Sequence, residues 1–86
     1  MSLSIIDPGV DLSRTIRETI ESAIPGARAE VVPSSPGHFE IRVTAAAFAG
    51  KSLVQQQQMV YGAITPLMKG DNAPVHAIDR LQTKVS

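Results

Sequence analysis

Few residues in this chain have types suited to chemistry. There are two histidines, His38 and His76, and no cysteine in 86 residues. A neutral imidazole is a common metal ligand and titrates near physiological pH. Two imidazoles do not close a tetrahedral metal site by themselves, since a structural site takes four donors. Any thiolate in a site built on these histidines must therefore arrive from outside the chain. Glu40 and Asp79 are isolated carboxylates in the sequence, and no Ser/His/Asp arrangement or glycine-rich phosphate loop is recognisable. These residues do not assemble the acid, base and nucleophile that an enzyme requires. The run Gln55-Gln56-Gln57-Gln58 is unusual, with Lys51 as the one cation beside it. On residue type alone, the glutamines read as a solvated helix face. Lys51 reads as a solvated cation, and His76 as an ordinary strand histidine.

The elements that must position these residues are legible in the periodicity. From Asp11 to Ile24, Leu12, Ile16, Ile20, Ala23 and Ile24 recur at helical spacing opposite Arg14, Arg17, Glu18 and Glu21. Asp11 is the expected N-cap, and Pro25-Gly26 the expected stop. Ala27 to Val32 alternates as a short strand. Pro33 to Gly37 has turn composition. His38 to Thr44 alternates again, with Phe39, Ile41 and Val43 on one face and His38, Glu40 and Arg42 on the other. Ala45 to Lys51 is a linker. Ser52-Leu53-Val54-Gln55 fits a capping box for a second helix, with Leu53, Val60, Ile64 and Leu67 expected inward. Pro66 is expected to kink that helix or end its regular part near Thr65. Lys69 to Pro74 is a loop, and Val75 to about Lys84 a third strand.

The order is α-β-β-α-β in one domain over residues 1–86, with residues 1–8 expected as a flexible extension. The hairpin pairs locally. The third strand returns after a helical crossover, so it runs parallel to one hairpin strand. The result is a two-layer α+β fold: a three-stranded mixed sheet with both helices on one face. The other face is left partly open as a candidate docking surface.

Composition narrows the function classes. A chain of this length buries about 60% of its unfolded surface, so its stability margin is thin. With 8 basic and 8 acidic residues the formal net charge is zero, against a nucleic-acid binder that works by bulk electrostatics. Phe39, Phe48 and Tyr61 leave little for stacking on bases. No apolar run approaches the roughly 20 residues that span a bilayer, and no secretory leader is recognisable. The expectation is a cytoplasmic protein without membrane association, a monomer or weak homodimer on its own.

Four stretches carry a family resemblance. They are Gly37-His38-Phe39-Glu40-Ile41-Arg42-Val43, Phe48-Ala49-Gly50-Lys51-Ser52-Leu53-Val54-Gln55, Met59-Val60-Tyr61 and Val75-His76-Ala77. In this order, with these elements between them, they resemble the BolA family. The short hairpin loop and Val60-Tyr61-Gly62 are most similar to its IbaG branch. The resemblance implies a class II KH-like α/β domain and a non-enzymatic partner role. BolA-like proteins associate with monothiol glutaredoxins of the CGFS type and share a 2Fe–2S cluster with them. There the glutaredoxin cysteine and a glutathione thiol serve one iron. By the same resemblance His76 supplies a ligand from this chain, and His38, at the end of the hairpin loop, is the candidate second. Lys51, Gln56, Gln57 and Gln58 are candidate contacts to a partner or to nucleic acid. The chain departs from the family twice. Gln56-Gln57-Gln58 stands where a basic Arg-His-Arg segment is usual, and the C-terminal helix usual after the third strand is not expected here. The alternative role is a KH-like nucleic-acid-binding transcriptional regulator of stress response or morphology.

Overall fold

Phe39, Ile41 and Val43 alternate with polar residues, and the sheet is built around them. The computed structural model of the protein describes residues 8–70 and 73–86. Helix α1 spans Pro8–Ala23, strand β1 Arg28–Ser35 and strand β2 His38–Ala45. A 3-10 turn follows over Ala46–Phe48, then helix α2 over Leu53–Met68 and strand β3 over Ala77–Val85. The strand order is β1-β2-β3, with β1 antiparallel and β3 parallel to the central β2. This is the α-β-β-α-β arrangement with a mixed sheet and both helices on one face.

Burial follows the alternation. Phe39, Ile41, Val43 and Ala45 of β2 are buried against Ile16 and Ile20 of α1, Ile24 just after that helix, and Val60 and Ile64 of α2. Glu40 and Arg42 point to the solvated face. Each large apolar side chain so enclosed contributes about 1.5–3 kcal/mol of transfer free energy. Phe48 is fully buried, so the stretch expected as a plain linker is a 3-10 turn that plugs one end of the core.

Several boundaries differ from expectation. Asp11 is not the N-cap of α1. The helix already begins at Pro8, a residue whose fixed φ and missing N–H suit a first turn. Asp11 is exposed and pairs instead with Arg14, at 3.2 Å. Of the expected extension over residues 1–8, residues 1–7 lie outside the described residues. The hairpin turn is shorter than the composition indicated. β1 runs on through Pro33 to Ser35, leaving only Pro36-Gly37 between the strands. Pro33 is tolerated because β1 is an edge strand. α2 continues through Pro66 to Met68, since a proline in the last turn removes only one hydrogen bond there. β3 begins at Ala77, two residues later than expected. Val75 is buried, and its N–H donates to the Leu67 carbonyl at 3.2 Å.

The N-terminal turn of α2 has its predicted capping box. Ser52 Oγ accepts from the Gln55 N–H at 3.2 Å, and Gln55 Oε1 accepts from the Ser52 N–H at 2.9 Å. Which residues face inward differs from expectation. Leu53 is 59% exposed, and Gln56 takes the buried position. Gln56 Nε2 donates to the Lys51 carbonyl at 3.0 Å, and its Oε1 accepts from Thr83 Oγ1 at 2.6 Å. A buried amide persists because both its ends are hydrogen-bonded. Substituting Ser52→Ala is expected to lower stability by about 1 kcal/mol, read as a lower urea midpoint with an unchanged denaturant slope.

Candidate metal-ligating site

The two histidines meet at one glycine. Gly37 has φ of +78°, a conformation that glycine adopts without steric cost. It closes the two-residue turn into β2, so His38 follows it as the first strand residue. Its carbonyl accepts from the His76 N–H at 2.8 Å and from the Ala77 N–H at 3.1 Å. The start of β3 is thereby fastened to the hairpin tip. A Cβ at residue 37 would lie 2.7 Å from His76 Nδ1 and 2.8 Å from its Cγ. The imidazole of His76 therefore occupies the space that any larger residue would claim. His76 itself is exposed.

His38 is held by a different set of groups. Its Nδ1 lies 2.9 Å from Asp79 Oδ1, and Ser34 Oγ lies 2.7 Å from Asp79 Oδ2. Asp79 thus bridges a residue of β1 and a residue of β2. Residues 41 and 45 positions apart in sequence meet here, so the carboxylate that is isolated in the sequence is paired in the fold. Both neighbours lower the Asp79 pKa, the His38 hydrogen bond most and the Ser34 hydrogen bond next. An ionised carboxylate has acceptors only, so His38 Nδ1 is the donor. Ser34 donates to Asp79 and not to His38, so the trio contains no nucleophile–base pair and is not a catalytic triad.

Two irregularities of the sheet fall at this cluster. Between β1 and β2 the register passes from Pro33↔Phe39 to Ser35↔His38, leaving Ser34 unpaired. Between β2 and β3 it passes from Phe39↔Ile78 to Glu40↔Arg80, leaving Asp79 unpaired. Each bulged residue sits beside His38, from opposite sides. A bulge re-aims the extra side chain, and here both extra side chains converge. The second bulge was detectable in sequence. Ile78 and Leu81 are three apart, and both pack against the core, which an unbroken two-residue alternation does not permit.

The remaining expected contact residues fall in two environments. Lys51, exposed, and Gln58, also exposed, flank the first turns of α2, and Gln57 is half-buried. Gln56 is corrected: burial and its two hydrogen bonds remove it from the contact surface. Gln57 lines a groove of about 500 Å³ with Arg42, Leu53, Leu81, Thr83 and Lys84. Among the described residues, no group of three or more His, Cys, Asp or Glu side chains is placed to hold a metal. Among them also, no helix is long and apolar enough to cross a membrane.

Comparison with known proteins places this geometry. The family described as BolA-like protein matches residues 15–85. The chain belongs to the BolA family. A bolA protein homologue from Coxiella burnetii is 28% identical, with 85% of this chain and 88% of that one covered and a TM-score of 0.67. BolA1 from Mus musculus is 26% identical, with 99% of this chain and 71% of that one covered, also at 0.67. The BolA domain of SufE1 from Arabidopsis thaliana shares the fold at a TM-score of 0.71, with 23% identity and coverage of 98% and 95%. No curated protein sequence matches the chain. As a BolA protein the chain is non-enzymatic.

Two outcomes follow for this BolA domain. Gly37→Ala should cost about 1–3 kcal/mol from the backbone alone, and the His76 imidazole NMR signals should move because its space is taken. The Asp79 carboxyl titrates lower when folded than when unfolded. Its contribution is therefore present above the ordinary carboxylate range and is lost as pH falls through the lowered value. The stability gap between the native protein and Asp79→Asn should accordingly narrow on acidification below about pH 4, measured by urea denaturation across pH.

Proposed function

We propose that this BolA protein is an adaptor that completes a metal site in partnership with a CGFS-type monothiol glutaredoxin. It contributes His76, and with it His38, to a shared 2Fe–2S cluster, and serves iron–sulfur trafficking or iron regulation. The observation that carries the reading is the Gly37 junction. It brings the histidine before β3 and the histidine that opens β2 to the same end of the sheet. Neutral imidazole is a suitable ligand for iron, and its replacement of cysteine on one iron raises the cluster potential. The donor set fits a partial site. Two imidazoles and no cysteine supply one side of a cluster, and the thiolates come from the partner and glutathione. The two-residue turn at Pro36-Gly37 also supports placing the chain with the short-loop IbaG branch.

The nucleic-acid reading draws on one feature, the groove beside α2 with Arg42 and Lys84 on its rim. Zero net charge and the neutral Gln56-Gln57-Gln58 run weigh against it. If it were the function, affinity for DNA would fall steeply with salt, with a slope set by the phosphates contacted.

The deciding experiment mixes the protein with a CGFS glutaredoxin, iron, sulfide and glutathione, and follows visible absorption and circular dichroism. His76→Ala should change the spectrum of the mixed cluster and shorten its lifetime. A spectrum and lifetime identical to those of the native complex would sink the ligand assignment.

A further inference from the structure

We infer that Asp79, held by Ser34, is a positioning residue that fixes the His38 imidazole as its Nδ1–H tautomer and so presents Nε2 outward as the metal-binding atom. This rests on the reading of His38 as a ligand and adds to it which nitrogen binds and what orients it. The geometry carries three points. Asp79 Oδ1 is 2.9 Å from Nδ1, so that nitrogen is occupied. An ionised carboxylate cannot donate, so the shared hydrogen belongs to the ring. In a neutral imidazole with Nδ1 protonated, the lone pair lies on Nε2.

The surrounding fold commits the carboxylate to this task. Ser34 Oγ donates to the other Asp79 oxygen at 2.7 Å, which restrains the rotation of the carboxylate. Ser34 and Asp79 are the two residues that the register shifts leave unpaired. The bulge leaves Asp79 out of the β3 ladder beside His38, and a bulge is a usual place for a redirected side chain. A histidine that donates one ring N–H to a carboxylate while the other nitrogen faces a metal is the usual outer-shell arrangement of metal sites. Here the outer shell is built into the chain before any partner arrives. Among the described residues no carboxylate is hydrogen-bonded to the His76 ring, which packs into the space left by the missing Cβ of Gly37. The two histidines are thus positioned by different means, one by a hydrogen bond and one by space.

The test reads the tautomer directly and the metal site separately. Long-range proton–nitrogen NMR at about pH 8.5, two units above the ordinary imidazole value, assigns the proton on each ring. Native His38 should be the Nδ1–H form. Asp79→Ala should convert it mainly to the Nε2–H form, Ser34→Ala should do so in part, and His76 should stay unchanged as the internal control. Nε2–H in the native protein, or no change in Asp79→Ala, overturns the inference. The second arm forms the mixed cluster with a CGFS glutaredoxin, iron, sulfide and glutathione, using native, His38→Ala and Asp79→Ala proteins. Asp79→Ala should shift the visible circular dichroism and speed cluster loss by about tenfold or more, the usual cost of losing an outer-shell partner. If His38→Ala alters the cluster and Asp79→Ala does not, the positioning role is refuted while the ligand reading survives. If His38→Ala changes nothing, the ligand reading itself is refuted, and the metal-facing half of the inference with it.

Discussion

The carbonyl and the missing side chain of Gly37 together constrain the rest of the molecule. At φ of +78° the residue reverses the chain in a two-residue turn and sends β2 through the middle of the sheet. Its carbonyl then receives two consecutive N–H groups from the start of β3. A parallel strand that returns from a helix has no hairpin to set its register, so its first hydrogen bonds must do so. With β3 started there, Ile78 and Leu81 reach the core and Thr83 reaches Gln56. The same atom group places His76, because the imidazole occupies the volume a Cβ would fill.

Around that junction the sheet departs from regularity in a coordinated way. An unbroken β1 would pair Ser34 with His38, and an unbroken β3 would pair Asp79 with Glu40. Both ladders instead leave one residue out, and the two omitted residues hydrogen-bond to each other beside His38. Bulges cost ladder hydrogen bonds and tend to occur next to functional sites, where they redirect a side chain. Here they coincide with one polar cluster of three side chains from three strands on the solvated face. The hydrophobic face is unaffected, since Phe39, Ile41 and Val43 keep their alternation through the central strand. The fold thus separates its two tasks by face: one holds the core and the helices, the other carries the charge and the histidine.

The α2 segment shows a parallel division between what is local and what is not. Its capping box is a matter of four consecutive residues, and the structure has the reciprocal bonds that Ser52 and Gln55 predict. Its inward face is not local. Helical periodicity makes Leu53 and Gln56 near neighbours on the same side, and hydrophobicity alone selects Leu53. The structure selects Gln56, because Lys51 offers a carbonyl and Thr83 a hydroxyl that together satisfy the amide. Leu53 is left at the mouth of a groove beside β3.

Read from the residues alone, the chain already determined the element order, the sheet face that holds the core, the helix cap and the absence of any internal thiolate. Those properties depend on spacing of two to four residues, on single residues such as Ser52, or on composition, and need no knowledge of distant partners. The ordered motifs from Gly37 to Ala77 also carried the family, and hence the interest in His76. The tertiary structure alone decided what surrounds the histidines. Asp79 looked isolated because its partners, Ser34 and His38, lie 45 and 41 positions away. The role of Gly37 as a seat for His76 was equally hidden, since a vacant Cβ position has meaning only when something else is packed into it. Long-range register set both relations, and register depends on how the whole core seats, not on any short stretch of sequence.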